Sequence, residues 1–165
     1  MRNIFILRHC EYDDRSGPGP NFDCHLSDEG TAHALTIGAK MLQNNIQPDL
    51  IYCSGAKRTR ETLSALLQTI DAPKIIYSDD IYGCMPGELL ELIQGSAETY
   101  KNIMILGHNP AMHGIVQILG QNSEAKYLKD IAYYYGAGTL CHFSCNTALW
   151  SEANPANCTI TALHT

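Results

Sequence analysis

The sequence predicts an α/β domain, with a mainly parallel central sheet covered by helices on both faces. Three observations predict it. Short apolar runs of strand length alternate with longer helix-patterned segments from residue 3 to about residue 120. The segments between them carry Gly, Pro, Asp and Asn, the residues that break regular structure. A helix placed between two strands returns the chain to the same end of the sheet, so successive strands pair in parallel. The expected architecture is therefore three-layered, with residues 1–165 as one domain.

Each element has its own signal. Residues 3–7 (NIFIL) are a continuous apolar run, as a strand buried on both faces requires. Residues 13–25 are rich in Gly, Pro and Asp and read as a loop. The stretch from Leu26 to Ile46 reads as a helix, with Ser27 as its N-cap and acidic residues in its first turn. Residues 49–54 (DLIYCS) are a second strand and 74–78 (KIIYS) a third. Between them, residues 55–70 put Leu63, Leu66, Leu67 and Ile70 on one helical face. Residues 79–87 are a loop and 88–95 a short helix ending at Gly95. Residues 102–110 run from an apolar strand into a turn, and Pro110 suits the first position of the helix that follows. From residue 139 the chain reads as further strands, placed at an edge of the sheet.

Composition excludes several classes of function. The chain has 165 residues, enough to bury ~70% of its unfolded surface and fold without staples. Its net charge is −6 with His neutral, so it lacks the basic face of a nucleic-acid or anionic-membrane binder. No apolar stretch approaches the ~20 residues of a membrane span, and the first residues lack the cleavage site of a signal peptide. Seven cysteines (10, 24, 53, 84, 141, 145, 158), an odd number with no CxxC pair, read as free thiols in a reducing cytoplasm.

Three chemistry-bearing segments share one topological position. Arg8-His9 follows the first strand, Ser54-Gly55-Ala56-Lys57-Arg58 the second, and Gly107-His108-Asn109-Pro110 the strand at 103–106. Parallel α/β sheets bind ligands outside the carboxyl ends of their strands. Two of these segments also open helices, whose N-terminal ends favour an anion. Two Arg, two His and two helix N-termini would thus converge, as a receptor for a phosphoryl group. Arginine holds phosphate oxygens in bidentate fashion, and fixed cations stabilise the charge on a transferring phosphoryl group. A neutral imidazole with one free nitrogen can attack phosphorus, while its other nitrogen keeps a proton through a hydrogen bond. The second His can stay cationic beside the phosphate, and a carboxylic acid would protonate the leaving group.

These residues carry a resemblance. "LRHC", "LSDEG", "DLIYCSGAKRTRET" with its Ser-x-x-x-Arg-x-x-x-Thr spacing, and "IMILGHNPAM" appear in order over residues 3–120. In this the chain resembles the histidine phosphatase superfamily, the phosphoglycerate mutase-like fold, and within it the short SixA-like phosphohistidine phosphatases. The resemblance implies that His9 is the phosphorylated nucleophile and that Arg8, Arg58 and His108 form the phosphate pocket. It implies a general acid from "SDDIYG": Asp80 is favoured narrowly over Asp79, with Glu88 a weaker candidate inside the next helix. It implies no cofactor and no metal. Cys10 departs from the family's Gly or Ala; its thiol would make the site open to oxidation.

Other conspicuous residues have plainer readings. Lys57 and Arg60 are surface charges. His33, His113, His142 and His164 default to surface or satisfied core positions. Cys24, His25 and Cys10 match no zinc spacing. Asp13 and Asp14 belong to a solvated loop, Asn109 orients its turn, and the tyrosines at 133–135 either border the site or pack. The expected activity is a metal-independent phosphatase acting on phosphohistidine in a partner protein, because so short a chain leaves little room for a lid. The alternatives are a phosphatase of small monoesters such as sugar phosphates and a non-catalytic phosphate-binding module. Neither nucleic acid nor membrane is an expected partner.

Overall fold

The computed structural model describes residues 1–13, 22–71 and 73–165. Its elements run β1 (Arg2–Arg8), α1 (Asp28–Gln43), β2 (Leu50–Ser54), α2 (Lys57–Leu66), β3 (Lys74–Ser78), α3 (Pro86–Gln94), β4 (Asn102–Gly107), α4 (Ala111–Gly120), α5 (Ala125–Ile131), β5 (Leu140–Cys145) and β6 (Cys158–His164). The six strands form one sheet in the order β3-β2-β4-β1-β5-β6. The first four are mutually parallel; β5 and β6 join antiparallel and make one edge, as expected for the tail.

The two faces of the sheet bury separate cores, which is why the strands are apolar on both sides. Phe5, Leu7, Ile51, Cys53, Met104 and Leu106 pack on one face with Ile37 and Met41 of α1 and Leu63 and Leu66 of α2. Ile4, Ile6, Ile103 and Ile105 point the other way, onto Leu89 and Ile93 of α3 and Ile115, Val116 and Leu119 of α4. The alternation along β1 and β4 is thus a sorting between two apolar layers, with no solvated side. Strand β3 lies at the opposite edge and is largely exposed.

Local chemistry sets the helix starts. Ser27 caps α1 as expected, its hydroxyl accepting from the Gly30 N–H at 2.9 Å. Helix α3 starts two residues before the expected 88, with Pro86 in its first turn. The Glu88 carboxylate accepts from the Met85 N–H at 2.6 Å and closes that turn. Pro110 sits just before α4 rather than inside it. Helix α5 has no counterpart in the sequence reading; Leu128 and Ile131 are too short an apolar pattern to announce it.

The free-thiol expectation fails for two cysteines. The antiparallel β5–β6 register sets Cys145 directly opposite Cys158, with Cα atoms 4.1 Å apart, and they form a disulfide. An odd count could not reveal a pair that only strand register creates. The other five cysteines form no disulfide. Among the described residues, no helix is long and apolar enough to cross a membrane.

Candidate active site

The carboxyl ends of β1, β2 and β4 bring their charged residues together. His9, Arg58 and His108 are all buried, with relative exposures of 3%, 4% and 7%. The Arg58 Nε–H donates to His9 Nε2 at 3.3 Å, and the His9 and His108 rings stand 5.1 Å apart. Arg8 acts electrostatically on both imidazoles. The four residues expected to converge do so.

The tautomer of His9 follows from its partners. Its Nδ1 lies 2.7 Å from the Cys10 carbonyl oxygen, which can only accept. Nδ1 therefore carries the proton. Nε2 is left with its lone pair and accepts from Arg58. Burial lowers the His9 pKa from 6.5 to about 4, and Arg58 and Arg8 add to the shift against the pull of the Cys10 carbonyl. The ring is neutral near pH 7, as a nucleophile must be.

His108 is held differently. Its Nε2 is 2.8 Å from Ser54 Oγ, while Nδ1 is buried and has no hydrogen-bond partner among the described residues. Burial first, then His9, Arg58 and Arg8, bring its pKa down to about 3. A phosphate dianion beside the ring would act in the opposite sense and favour the cationic form expected of the second His when it holds phosphate.

The Ser-x-x-x-Arg-x-x-x-Thr spacing acquires a physical meaning. The Ser54 hydroxyl holds His108 and its carbonyl accepts from Thr59 Oγ1 at 2.8 Å, fixing the start of α2. Arg58 is the second residue of that helix. A further turn on, the Thr62 hydroxyl accepts from the Cys10 N–H at 3.2 Å and donates to the Arg58 carbonyl at 2.8 Å. Thr62 thereby locks α2 to the loop that carries His9. The helix amides contribute less than expected: the Lys57 N–H is taken by the Phe22 carbonyl and the His113 N–H by Asn109 Oδ1. Side-chain cations dominate the pit.

A positioning residue escaped the sequence reading. Tyr135 is buried, and its hydroxyl donates to the Ile6 carbonyl at 2.7 Å. Its own carbonyl accepts from Arg8 Nη1 at 3.0 Å and from Asn109 Nδ2 at 2.8 Å. It ties the β1 and β4 loops together, and Asn109 orients its turn as expected. The triplet at 133–135 gave no sign of which tyrosine turns inward.

The carboxylates separate. A Cβ built on Gly55 would come within 1.8 Å of Asp79 Oδ1, so the Asp79 carboxylate lies against the residue following Ser54. The Asp80 carboxylate instead accepts from Ser78 Oγ at 3.3 Å. It shares a cavity of about 120 Å³ with Cys84, Glu88, Leu89 and Leu92, a lining without Arg8, His9, Arg58 or His108. Glu88 is committed to its cap. Gly30 of "LSDEG" meets a similar constraint: a Cβ there would strike the Glu11 carbonyl oxygen at 1.9 Å. Asp14 lies outside the described residues.

Cys10 corrects the expected oxidation sensitivity. It is fully buried, and burial pushes its thiol up to about 12, so no thiolate forms near neutral pH. Among the described residues, no cluster of three or more His, Cys, Asp or Glu could hold a metal ion.

An α/β sheet with a buried Arg-His-His pit at its carboxyl edge is the architecture of the phosphoglycerate mutase-like fold. The sequence model of the histidine phosphatase superfamily (branch 1) matches residues 4–102, and the chain belongs to that family. The Mycobacterium tuberculosis protein Rv1276c is 30% identical over 101 residues, 61% of this chain and 62% of that protein. Among solved structures, a SixA protein from Agrobacterium tumefaciens superposes with a TM-score of 0.83 at 23% identity, covering 99% of this chain and 97% of that one. The protein histidine phosphatase SixA in complex with tungstate gives 0.78 at 12% identity, covering 99% and 96%.

Proposed function

We propose that this protein is a phosphatase working through a phosphohistidine on His9, and that its substrate is phosphohistidine on a partner protein. The observation that carries the reading is the fixed His9 tautomer, with Nδ1–H on the Cys10 carbonyl and the Nε2 lone pair beside Arg58. In the first step a P–Nε2 bond forms and the phosphorus–nitrogen bond of the substrate breaks. A substrate imidazole already protonated on its far nitrogen leaves neutral, so it needs no proton from the enzyme. In the second step water attacks phosphorus, and the P–Nε2 bond breaks to give phosphate and free His9. Arg8 and Arg58 supply the fixed positive charge for both transfers, the part a metal ion plays elsewhere.

The support for a phosphohistidine substrate is the imbalance of the site. The attacking side is buried and cross-linked, whereas both candidate acids, Asp79 and Asp80, are exposed. The relatives named SixA add to it. For an alkyl phosphate, a second reading, an acid must protonate the leaving oxygen, and Asp79 beside Gly55 is then the carboxylate in position.

The test is phosphate release from a phosphorylated histidine-containing phosphotransfer domain, in excess chelator, with His9→Ala as control. Release by the wild type alone is the expected result. Turnover confined to alkyl esters would move the substrate to the second reading. Tight binding with no release of any kind would make the chain a phosphate-binding module.

A further inference from the structure

The pit is cationic at its base, but aromatic side chains line its wall. The Tyr12 ring stands edge-on to His9, with centroids 5.8 Å apart at 66°. The Tyr82 ring stands edge-on to His108, 5.0 Å away at 77°. Both rings also flank the catalytic arginine candidate: the Arg58 guanidinium carbon lies 5.1 Å from the Tyr12 centroid and 5.5 Å from that of Tyr82. Phe22 extends the wall, packing edge-on against Tyr82 at 5.1 Å. All three rings are half-buried, so each keeps part of its surface toward solvent. Beyond Phe22 and Gly55 a cavity of about 430 Å³ opens along α2, past Lys57 and Arg60, giving room for whatever the leaving group is attached to.

We infer that Tyr12, Tyr82 and Phe22 form a collar that selects phosphoryl compounds with a planar aromatic leaving group, and that this collar is a specificity determinant of the site. The inference rests on the phosphoryl pit proposed above and extends it to the other half of the substrate. A phosphoryl group held by Arg8, Arg58 and His108 projects its leaving group away from His9, past the rings that line the pit. An imidazole or phenyl ring bonded to phosphorus meets them in edge and stacked contacts, which aromatic pairs favour beyond simple burial. A small alkyl group has little surface to offer the same rings, and a sugar must give up the hydrogen bonds of its hydroxyls to water to reach them.

The experiment compares phenylphosphonate with methylphosphonate by titration calorimetry. The two carry the same phosphonate and differ in the attached group, and neither can be turned over. Wild type is expected to bind phenylphosphonate about 10-fold more tightly. In Tyr82→Leu and in Tyr12→Leu that ratio should fall to about 1–3. Phe22→Leu, which removes the ring packed on Tyr82, should lower it by a smaller factor. A thermal melt of each variant reports whether it folds. A wild-type ratio near 1 overturns the collar, as does a ratio unchanged in all three variants. Equal weakening of both phosphonates would also overturn it, because the tyrosines would then act only by holding Arg58. Failure of the phosphohistidine reading shows elsewhere, as a lack of phosphate release from the phosphotransfer domain. The binding ratio does not depend on that outcome.

Discussion

Two regions at the carboxyl edge of the sheet are built to different standards. The pit around His9 is buried and its side chains are held: the His9 ring by the Cys10 carbonyl and the Arg58 side chain, His108 by Ser54 and Arg8 by the Tyr135 carbonyl, while Thr62 joins α2 to the β1 loop. The 79–80 segment, a 3-10 turn after the edge strand β3, is exposed, and among the described residues Asp80 is bonded to the neighbouring Ser78. Preorganisation costs stability, because it buries charge and fixes side chains. On the function proposed above, that cost falls on attack and charge stabilisation and little of it on proton donation. Such a division suits a leaving group that departs without a proton from the enzyme.

The comparison breaks first at its strongest point. His9→Ala should lower phosphate release by roughly 10³-fold or more, since it removes the group that forms the bond. A loss below 10-fold in a steady-state assay would remove His9 from the mechanism. Arg58→Ala comes next. It deletes a fixed cation and the donor to Nε2, and kcat/KM should fall about 10²- to 10³-fold.

The acid side sharpens the contrast. Asp79→Asn should cost less than about 10-fold on a phosphohistidine substrate and about 10²-fold or more on an alkyl phosphate. Asp80→Asn should change either rate by less than about 3-fold, because its carboxylate lies in the outer cavity. A large, equal loss from Asp79→Asn on both substrates would show that the acid matters for P–N cleavage too, and the asymmetry would vanish.

The pH profile tests the buried imidazoles. His9 and His108 have pKa values lowered from 6.5 to about 4 and about 3. A lowered value means that the neutral form persists as pH falls. For phosphohistidine, whose far nitrogen must carry a proton to leave neutral, kcat/KM should not fall between pH 7 and about 5 and should drop below about 4, as His9 takes up a proton. Folding stability follows the same sign. The unfolded chain binds these protons first, so the contribution of the two imidazoles is full above 6.5 and is lost as pH falls toward 4 and then 3. A rate that falls between pH 7 and 6 would contradict the burial argument. The smallest effect belongs to Cys10. Peroxide treatment should change activity by less than about 2-fold, measured with the same phosphate assay, because the buried thiol holds its proton.

Much of this was legible in the sequence where one principle decides. The apolar runs NIFIL and NIMIL gave the two central strands, since a strand buried on both faces cannot hide its composition. Arg8, His9, Arg58 and His108 were legible because topology alone carries the ends of parallel strands to one edge. What escaped depended on distance in space. The Cys145–Cys158 pair is a product of antiparallel register, and the Tyr135 anchor of a carbonyl turned toward Arg8 and Asn109. Asp79 and Asp80 are neighbours in sequence, and only the 3-10 turn sends one toward Gly55 and the other outward. The collar of Tyr12, Phe22 and Tyr82 comes from two separate loops with no shared spacing.

The central claim is that His9, with its proton held on Nδ1, attacks through Nε2 and carries the phosphoryl group. Rapid acid-free quenching with a radiolabelled phosphotransfer domain tests it most directly. The account predicts a transient label on the enzyme that is acid-labile and base-stable, maps to His9 at Nε2, and is missing in His9→Ala. Phosphate release with no labelled enzyme at any time, or a label on another residue, would contradict it.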